Sequence, residues 1–295
     1  MKKILFVLLL SLSVYGQNAG KTGFATLKLP VGARNASLGN TGVSSSSDVT
    51  ALFYNPAALN ESSSDELFIF HNQWIQGVSS EYFAAKTSFW GLTAAAGVSI
   101  SSVNNIEIRQ IAGEPEGTFN SHAMTVSMGV AFSPAQNWQS GVTIKYLYED
   151  YLADQADGFA FDLGAVYTLS GLRLSAALSN LGSMNNLKNN PTKLPATFRA
   201  GVNKSFAGVF PQFDIAASAE LQQQLTSGTF GINAGAELIY DNLVSFRAGT
   251  LPLNEANYLT AGLGFHFSGI HVDYGFTPFA EDLGAGHLIS LNYRF

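Results

Sequence analysis

From residue 66 onward, apolar side chains return at every second position, the period of a β-strand whose two faces meet different surroundings. In 122–132, His122, Met124, Val126, Met128, Val130 and Phe132 share one face, and Ala123, Thr125, Ser127, Gly129 and Ala131 share the other. The same division recurs in 159–169, 213–222 and 289–295. The pattern predicts fourteen strands, near 66–72, 79–88, 91–108, 119–133, 137–149, 157–168, 171–181, 194–206, 210–222, 228–240, 243–251, 257–267, 270–277 and 286–295.

A soluble sandwich with its apolar face inside and a membrane barrel with its apolar face outside both produce this alternation. The minor face separates them. It carries Gly, Ala, Ser and Thr mixed with a few charges of both signs, whereas a solvated surface is richer in Lys and Glu. Connection lengths point the same way. Tight turns (Phe89-Trp90, 134–136, Ser170, 207–209, Asp241-Asn242, Ser268-Gly269) alternate with longer polar stretches (110–119, 150–156, 182–193, 278–286), as in outer-membrane barrels. The terminal Tyr293-Arg294-Phe295 resembles the assembly signal of such proteins. The expected fold is therefore all-β, a transmembrane antiparallel β-barrel of about 14 strands spanning 66–295, with outer-membrane lipid as its surroundings.

Composition sharpens this reading. Charged residues make up 12% of the chain, about half the usual share of a soluble domain. The absence of Cys removes disulfides, thiolate metal sites and cysteine nucleophiles. With 15 Lys and Arg against 21 Asp and Glu, the net charge of −6 lacks the basic footprint that nucleic acid requires. Residues 1–16 (MKKILFVLLLSLSVYG) carry two lysines, a short apolar run and a small residue, the pattern of a cleaved signal peptide. The expected location is the outer membrane.

Residues 17–65 break the alternation. Serine runs at 44–47 and 62–64 suit a disordered leader. Phe24, Leu27, Leu29, Val31, Leu38, Val43, Leu52 and Leu59 instead suit a segment that packs, and a fourteen-strand barrel has an interior to fill. The favoured expectation is an N-terminal plug, with the leader as alternative. Within it, LPVGARNASLGNTGVSSSSDVTALFYNPAAL at 29–59 resembles the N-terminal signature of the PorV/PorQ family, through Ala33-Arg34, Leu38-Gly39, Gly42, Asp48 and Tyr54 to Leu59. Asn55, Pro56 and Ala57 match an element shared with the related FadL-type transporters. The resemblance implies a FadL-like barrel with a hatch, serving type IX protein secretion or surface attachment, with attachment-complex proteins and secreted cargo as partners. The alternative is a FadL-like channel for hydrophobic small molecules.

With the large apolar face toward lipid, the inward set holds Lys145, Asp162, Arg173, Arg199, Asn203, Asp214, Glu220, Asn233, Glu237, Arg247, His266, His271, Asp273 and Arg294. Ion pairs tying wall to plug are the expected use of these charges, with Arg34 reaching lumen acids from the plug. His266 and His271 flank a two-residue turn and face Asp273, so a metal or acid–base cluster is conceivable there, though no nucleophile or full ligand set accompanies it. No phosphate loop, GxSxG or HExxH occurs. The chain reads as non-enzymatic and without a cofactor.

Overall fold

The computed structural model describes residues 20–152, 154–187, 190–252 and 259–295. The signal peptide read at 1–16 lies outside the described residues. Among the described residues sixteen strands follow one another: β1 (Glu66–Gln73), β2 (Val78–Phe89), β3 (Leu92–Ile108), β4 (Gly117–Ala135), β5 (Trp138–Tyr151), β6 (Asp154–Leu169), β7 (Leu172–Met184), β8 (Asn186–Leu187), β9 (Asn190–Pro191) and β10 (Thr197–Phe210). The remainder are β11 (Phe213–Gln224), β12 (Phe230–Tyr240), β13 (Val244–Thr250), β14 (Leu259–Phe267), β15 (Ile270–Pro278) and β16 (Ala285–Arg294). All but the short β8–β9 pair form one closed antiparallel barrel of fourteen strands, in which β7 pairs directly with β10. The last strand returns to the first, from Glu66 opposite Arg294 to Gln73 opposite His287. Closure matters in hydrocarbon, because an open edge would leave unpaired backbone groups with no water to satisfy them.

The outward positions form an apolar band, with Ile69, Phe83, Met128, Ile144, Phe161, Leu163, Ile232 and Leu263 all exposed. Their inward neighbours Lys145, Asp162, Glu220, Glu237, Arg247 and Asp273 are buried. A Lys or Arg on the outer face at mid-membrane would cost about 2–4 kcal/mol, so the strand register is fixed by where its charges go. Turns at one end are tight. Trp90-Gly91, Ser170-Gly171 and Ser268-Gly269 hold both central residues at positive φ, the geometry that matches strand twist in a two-residue hairpin. That turn end also carries a collar of exposed aromatics, among them Phe89, Trp90, Trp138, Phe210, Tyr240, Phe267 and Phe295.

Two expectations need correction. The stretch 150–156 is not a loop, because β5 and β6 stay paired to Tyr151 opposite Asp154. On β1 and β2 the inward face is apolar as well as the outward one, with Phe68, Phe70 and Tyr82 pointing inward and buried. They have apolar company inside. The chain ahead of β1 fills the lumen with a 3-10 turn (Ala25–Lys28), three short helices, α1 (Ala33–Ser37), α2 (Gly42–Ser45) and α3 (Ala51–Tyr54), and a second 3-10 turn (Pro56–Glu61). Val43, Val49, Leu52, Tyr54 and Leu59 share one buried cluster with Phe68, Phe70 and Tyr82. Phe24 and Leu27 form another with Leu147, Ala156, Ala160, Met184 and Leu194, toward the loop end. Asn60 meets Ser133 and Thr93 near the turn end. The segment thus threads the barrel lengthwise.

Candidate functional site: the plug seated in the lumen

None of the three helices exceeds five residues, so helix propensity alone cannot hold them. Wall contacts supply the order. Asn55 caps the turn after it by accepting the Ala57 N–H at 3.2 Å, while its Nδ2 donates to Val43 O (3.2 Å) and to Ala165 O on the wall (3.3 Å). Pro56 at the first position of that turn needs no N–H partner. Asp48 accepts from the Thr50 N–H (2.9 Å) and from the Thr50 hydroxyl, fixing the entry to α3. Tyr54 Oη accepts from Val31 N–H (3.0 Å) and donates to Asn40 Oδ1 (2.7 Å). Burial pushes that hydroxyl above the usual tyrosine range, which keeps it a donor.

The wall yields to the plug at its glycines. A Cβ at Gly164 would overlap Asn55 Oδ1, and one at Gly141 would overlap the Pro56–Ala57 peptide. On the opposite side, Gly235 and Gly249 make room for Leu38 and Gly39, and Gly262 for Ser37. Gly39 itself, at φ 67, donates its N–H to Thr260 Oγ1 (3.0 Å) and accepts from Asn233 Nδ2 (2.7 Å). Gly42 lies against the Tyr54 ring. Gly141, Gly164, Gly235 and Gly249 are therefore a footprint of the plug backbone.

Charges complete the seat. Arg34 donates to both Glu237 oxygens (Nη2–Oε2 2.7 Å, Nε–Oε1 3.3 Å) and to Ser45 O at 2.9 Å. Glu237 is shared with Arg247 (2.6 Å), and Arg247 reaches on to Asp273 (2.7 Å), giving an alternating chain of two cations and two anions. Glu220 accepts from Ser44 N–H (2.6 Å) and Ser44 Oγ (2.9 Å), with Arg199 at 3.8 Å. Arg199 also donates to Asn40 O (3.0 Å) and to Gln222 Oε1. Arg173 donates to Ser46 O (2.6 Å) and lies 3.8 Å from Glu61. Lys145 pairs with Asp162 (2.6 Å) and Asn180 (3.0 Å) beneath the Phe53 ring. Asp162 in turn accepts the Asn180 N–H (2.7 Å) where the β6–β7 register shifts.

His266 and His271 do face each other, with ring centroids 4.4 Å apart. Asp273 is engaged by Arg247 rather than by the imidazoles, the nearer of which is 4.0 Å away. Among the described residues no group of three or more His, Cys, Asp or Glu is arranged to hold a metal ion. Asp214 departs from the expected lumen network. It sits at the start of β11 and accepts the Gly208 N–H (2.7 Å) near the end of β10, where the β10–β11 register shifts, too near the rim to touch the plug. Arg294 belongs to a site whose centre the inward set omits: Glu66, fully buried, accepts from Val49 N–H (2.9 Å), pairs with Lys86 (2.8 Å) and lies 3.5 Å from Arg294. Lys86 also donates to Ser62 O at 2.9 Å. Alternation would have found both, since Lys86 is in step with Tyr82 and Ala84, and Glu66 with Phe68.

Above the plug toward the loop end lies a cavity of about 190 Å³. Its floor includes Val43, Phe53 and Tyr54, its sides Trp74, Lys145, Asn180 and Arg199, and its roof Leu27, Lys28 and Pro30.

A family model described as a family of unknown function (DUF5723) matches residues 25–233. No curated protein matches the chain by sequence. Among solved structures, the P. putida toluene transporter TodX superposes with a TM-score of 0.66 at 12% identity, covering 90% of this chain and 99% of that one. The CymD monoaromatic hydrocarbon channel gives 0.61 at 12% identity, over 90% and 98%. These likenesses establish a shared barrel fold.

Proposed function

The chain belongs to the family of unknown function DUF5723, and we propose that it is a non-enzymatic outer-membrane channel that admits small, largely apolar molecules. The observation that carries the reading is the cavity between plug and roof. Its 190 Å³ exceeds the roughly 150 Å³ of an engineered protein cavity that takes up benzene, so one aromatic ring fits. The floor and sides offer Phe53, Tyr54 and Trp74 to such a ring. The solved barrels of like fold are a toluene transporter and a monoaromatic hydrocarbon channel, which supports the same class of solute. In this reading the loop end faces outward and the turn end the periplasm. The polar residues are spent on holding the plug, which leaves little for catalysis.

The export role of PorV/PorQ relatives, with attachment-complex proteins and cargo as partners, is the second reading. It is favoured by the residues at 29–59. Those residues form the plug and its seat, which a channel needs equally. One experiment separates the two: the gene is deleted, and both the initial rate of toluene uptake by intact cells and the set of surface proteins are measured. Slowed uptake with an unchanged surface proteome supports the channel. Normal uptake with loss of a class of surface proteins replaces it with the export role.

A further inference from the structure

Phe24 is a bulky aromatic residue held in the left-handed region, at φ 46 and ψ 52, where residues other than glycine carry strain. Its side chain is nonetheless 1% exposed. It occupies a seat of its own, formed with Leu147, Ala156, Ala160, Met184 and Leu194 and separate from the cluster that holds the rest of the plug. The seat suits a flat ring: the two alanines leave room, and the Met184 thioether makes favourable contact with aromatic groups. Leu27, three residues on, belongs to this seat and also lines the cavity. Phe24 and Leu27 therefore pin the strap of residues 20–30 across the cavity as its roof. Gly23 N–H donates to Lys193 O (2.9 Å), which ties the strap to the loop segment ahead of β10. The floor is held differently, by Arg34, Ser44 and Val49 bonded to buried wall carboxylates.

A phenylalanine side chain is a benzyl group, so the seat already holds a ring of the size of toluene, supplied by the chain itself. We propose that the Phe24 seat is a binding site for a one-ring aromatic molecule, which displaces the Phe24 side chain and so releases the roof of the cavity. The displaced residue leaves a strained backbone conformation, and that relief offsets part of the burial it gives up. The class of ligand rests on the channel reading above; the site rests on the geometry of Phe24.

The chain has no cysteine, so a single introduced thiol reports on the strap. In full-length Leu27→Cys protein in detergent micelles, toluene is expected to raise the rate of reaction with a charged maleimide roughly fivefold, because the roof lifts and exposes a buried position. Phe24→Ala removes the internal competitor and is expected to bind toluene roughly tenfold tighter than the natural chain by titration calorimetry, a ratio set by the burial of one aromatic side chain less its backbone strain. Adding Ala160→Leu to Phe24→Ala refills the seat and is expected to abolish that gain. Heat-dependent gel mobility verifies that each variant is a folded barrel. An unchanged labelling rate, or equal toluene affinity in the natural chain and Phe24→Ala, overturns the proposal. Failure of the channel reading looks different: deletion would leave cellular toluene uptake unchanged while the labelling and affinity differences persist.

Discussion

Replacing Arg34 by Met isolates what the plug's central ion pair contributes. The guanidinium makes two bonds to Glu237 and one to Ser45 O, and its side chain is 22% exposed. Hydrogen bonds to charged groups each contribute about 1.5–3 kcal/mol net when both partners are buried. Here the loss is smaller than that sum, because Glu237 keeps Arg247 at 2.6 Å and is not stranded. A cost of about 2–3 kcal/mol to plug docking corresponds to a roughly 30- to 140-fold rise in the undocked fraction. The fourteen-strand ladder contains none of these bonds, so the barrel should keep its heat-dependent gel shift. Single-channel recording in planar bilayers at about 0.1 M salt, where screening is moderate, reads the undocked fraction as time in a high-conductance state. Arg34→Lys, with one donor group in place of a fork, should fall between the two. If Arg34→Met stays within threefold of the natural chain while the barrel is intact, the plug is not held by this pair and the reasoning fails.

Three further outcomes follow from the same seat. Gly164→Val drives a side chain into Asn55 Oδ1, so the barrel should assemble while protease cuts the displaced plug; resistance equal to that of the natural chain would show that the glycine footprint is not required. Lys86→Met leaves Glu66 fully buried with only the more distant Arg294 as a cation, a loss of about 3–5 kcal/mol that should appear as a lowered unfolding midpoint in urea. Because burial raises the Tyr54 hydroxyl, the docked plug binds that proton more tightly than the free segment does. Docking should therefore be constant below ~10, the ordinary tyrosine value, and weaken as pH rises above it. Tyr54→Phe should flatten that dependence in the conductance assay.

Strand number and nearly every strand position were legible in the sequence because a membrane barrel imposes the two-residue period on the whole wall. The plug was legible only in part. Its apolar residues and the Asn55-Pro56-Ala57 turn stood out, but its partners are set by register across residues far apart in sequence: Arg34 and Glu237 are 203 positions apart. Parity names which wall residues face inward without saying how high they sit, which is why Asp214 was placed with Glu220 although it lies at the rim. Phe68, Phe70 and Tyr82 depart from the small, polar inward face for a related reason, since an apolar plug reverses the polarity the lumen demands there. The wall glycines were visible as residues, but their meaning required the plug's backbone to be in place.

The pairing of β1 with β16 has a consequence for how the molecule is made. Glu66 and Arg294 stand at nearly opposite ends of the wall's sequence, so the cylinder shuts only when the final strand arrives. Residues 34–49 bond to carboxylates on β1, β11 and β12, so the leading segment's contacts reach across most of the wall's sequence. Contacts of such long sequence separation form slowly. The early segment must therefore wait beside an incomplete sheet, whose glycine notches are shaped to a chain not yet enclosed. An assembly order follows in which the sheet wraps around its own leading segment, so that the barrel is closed over its contents instead of being filled afterwards.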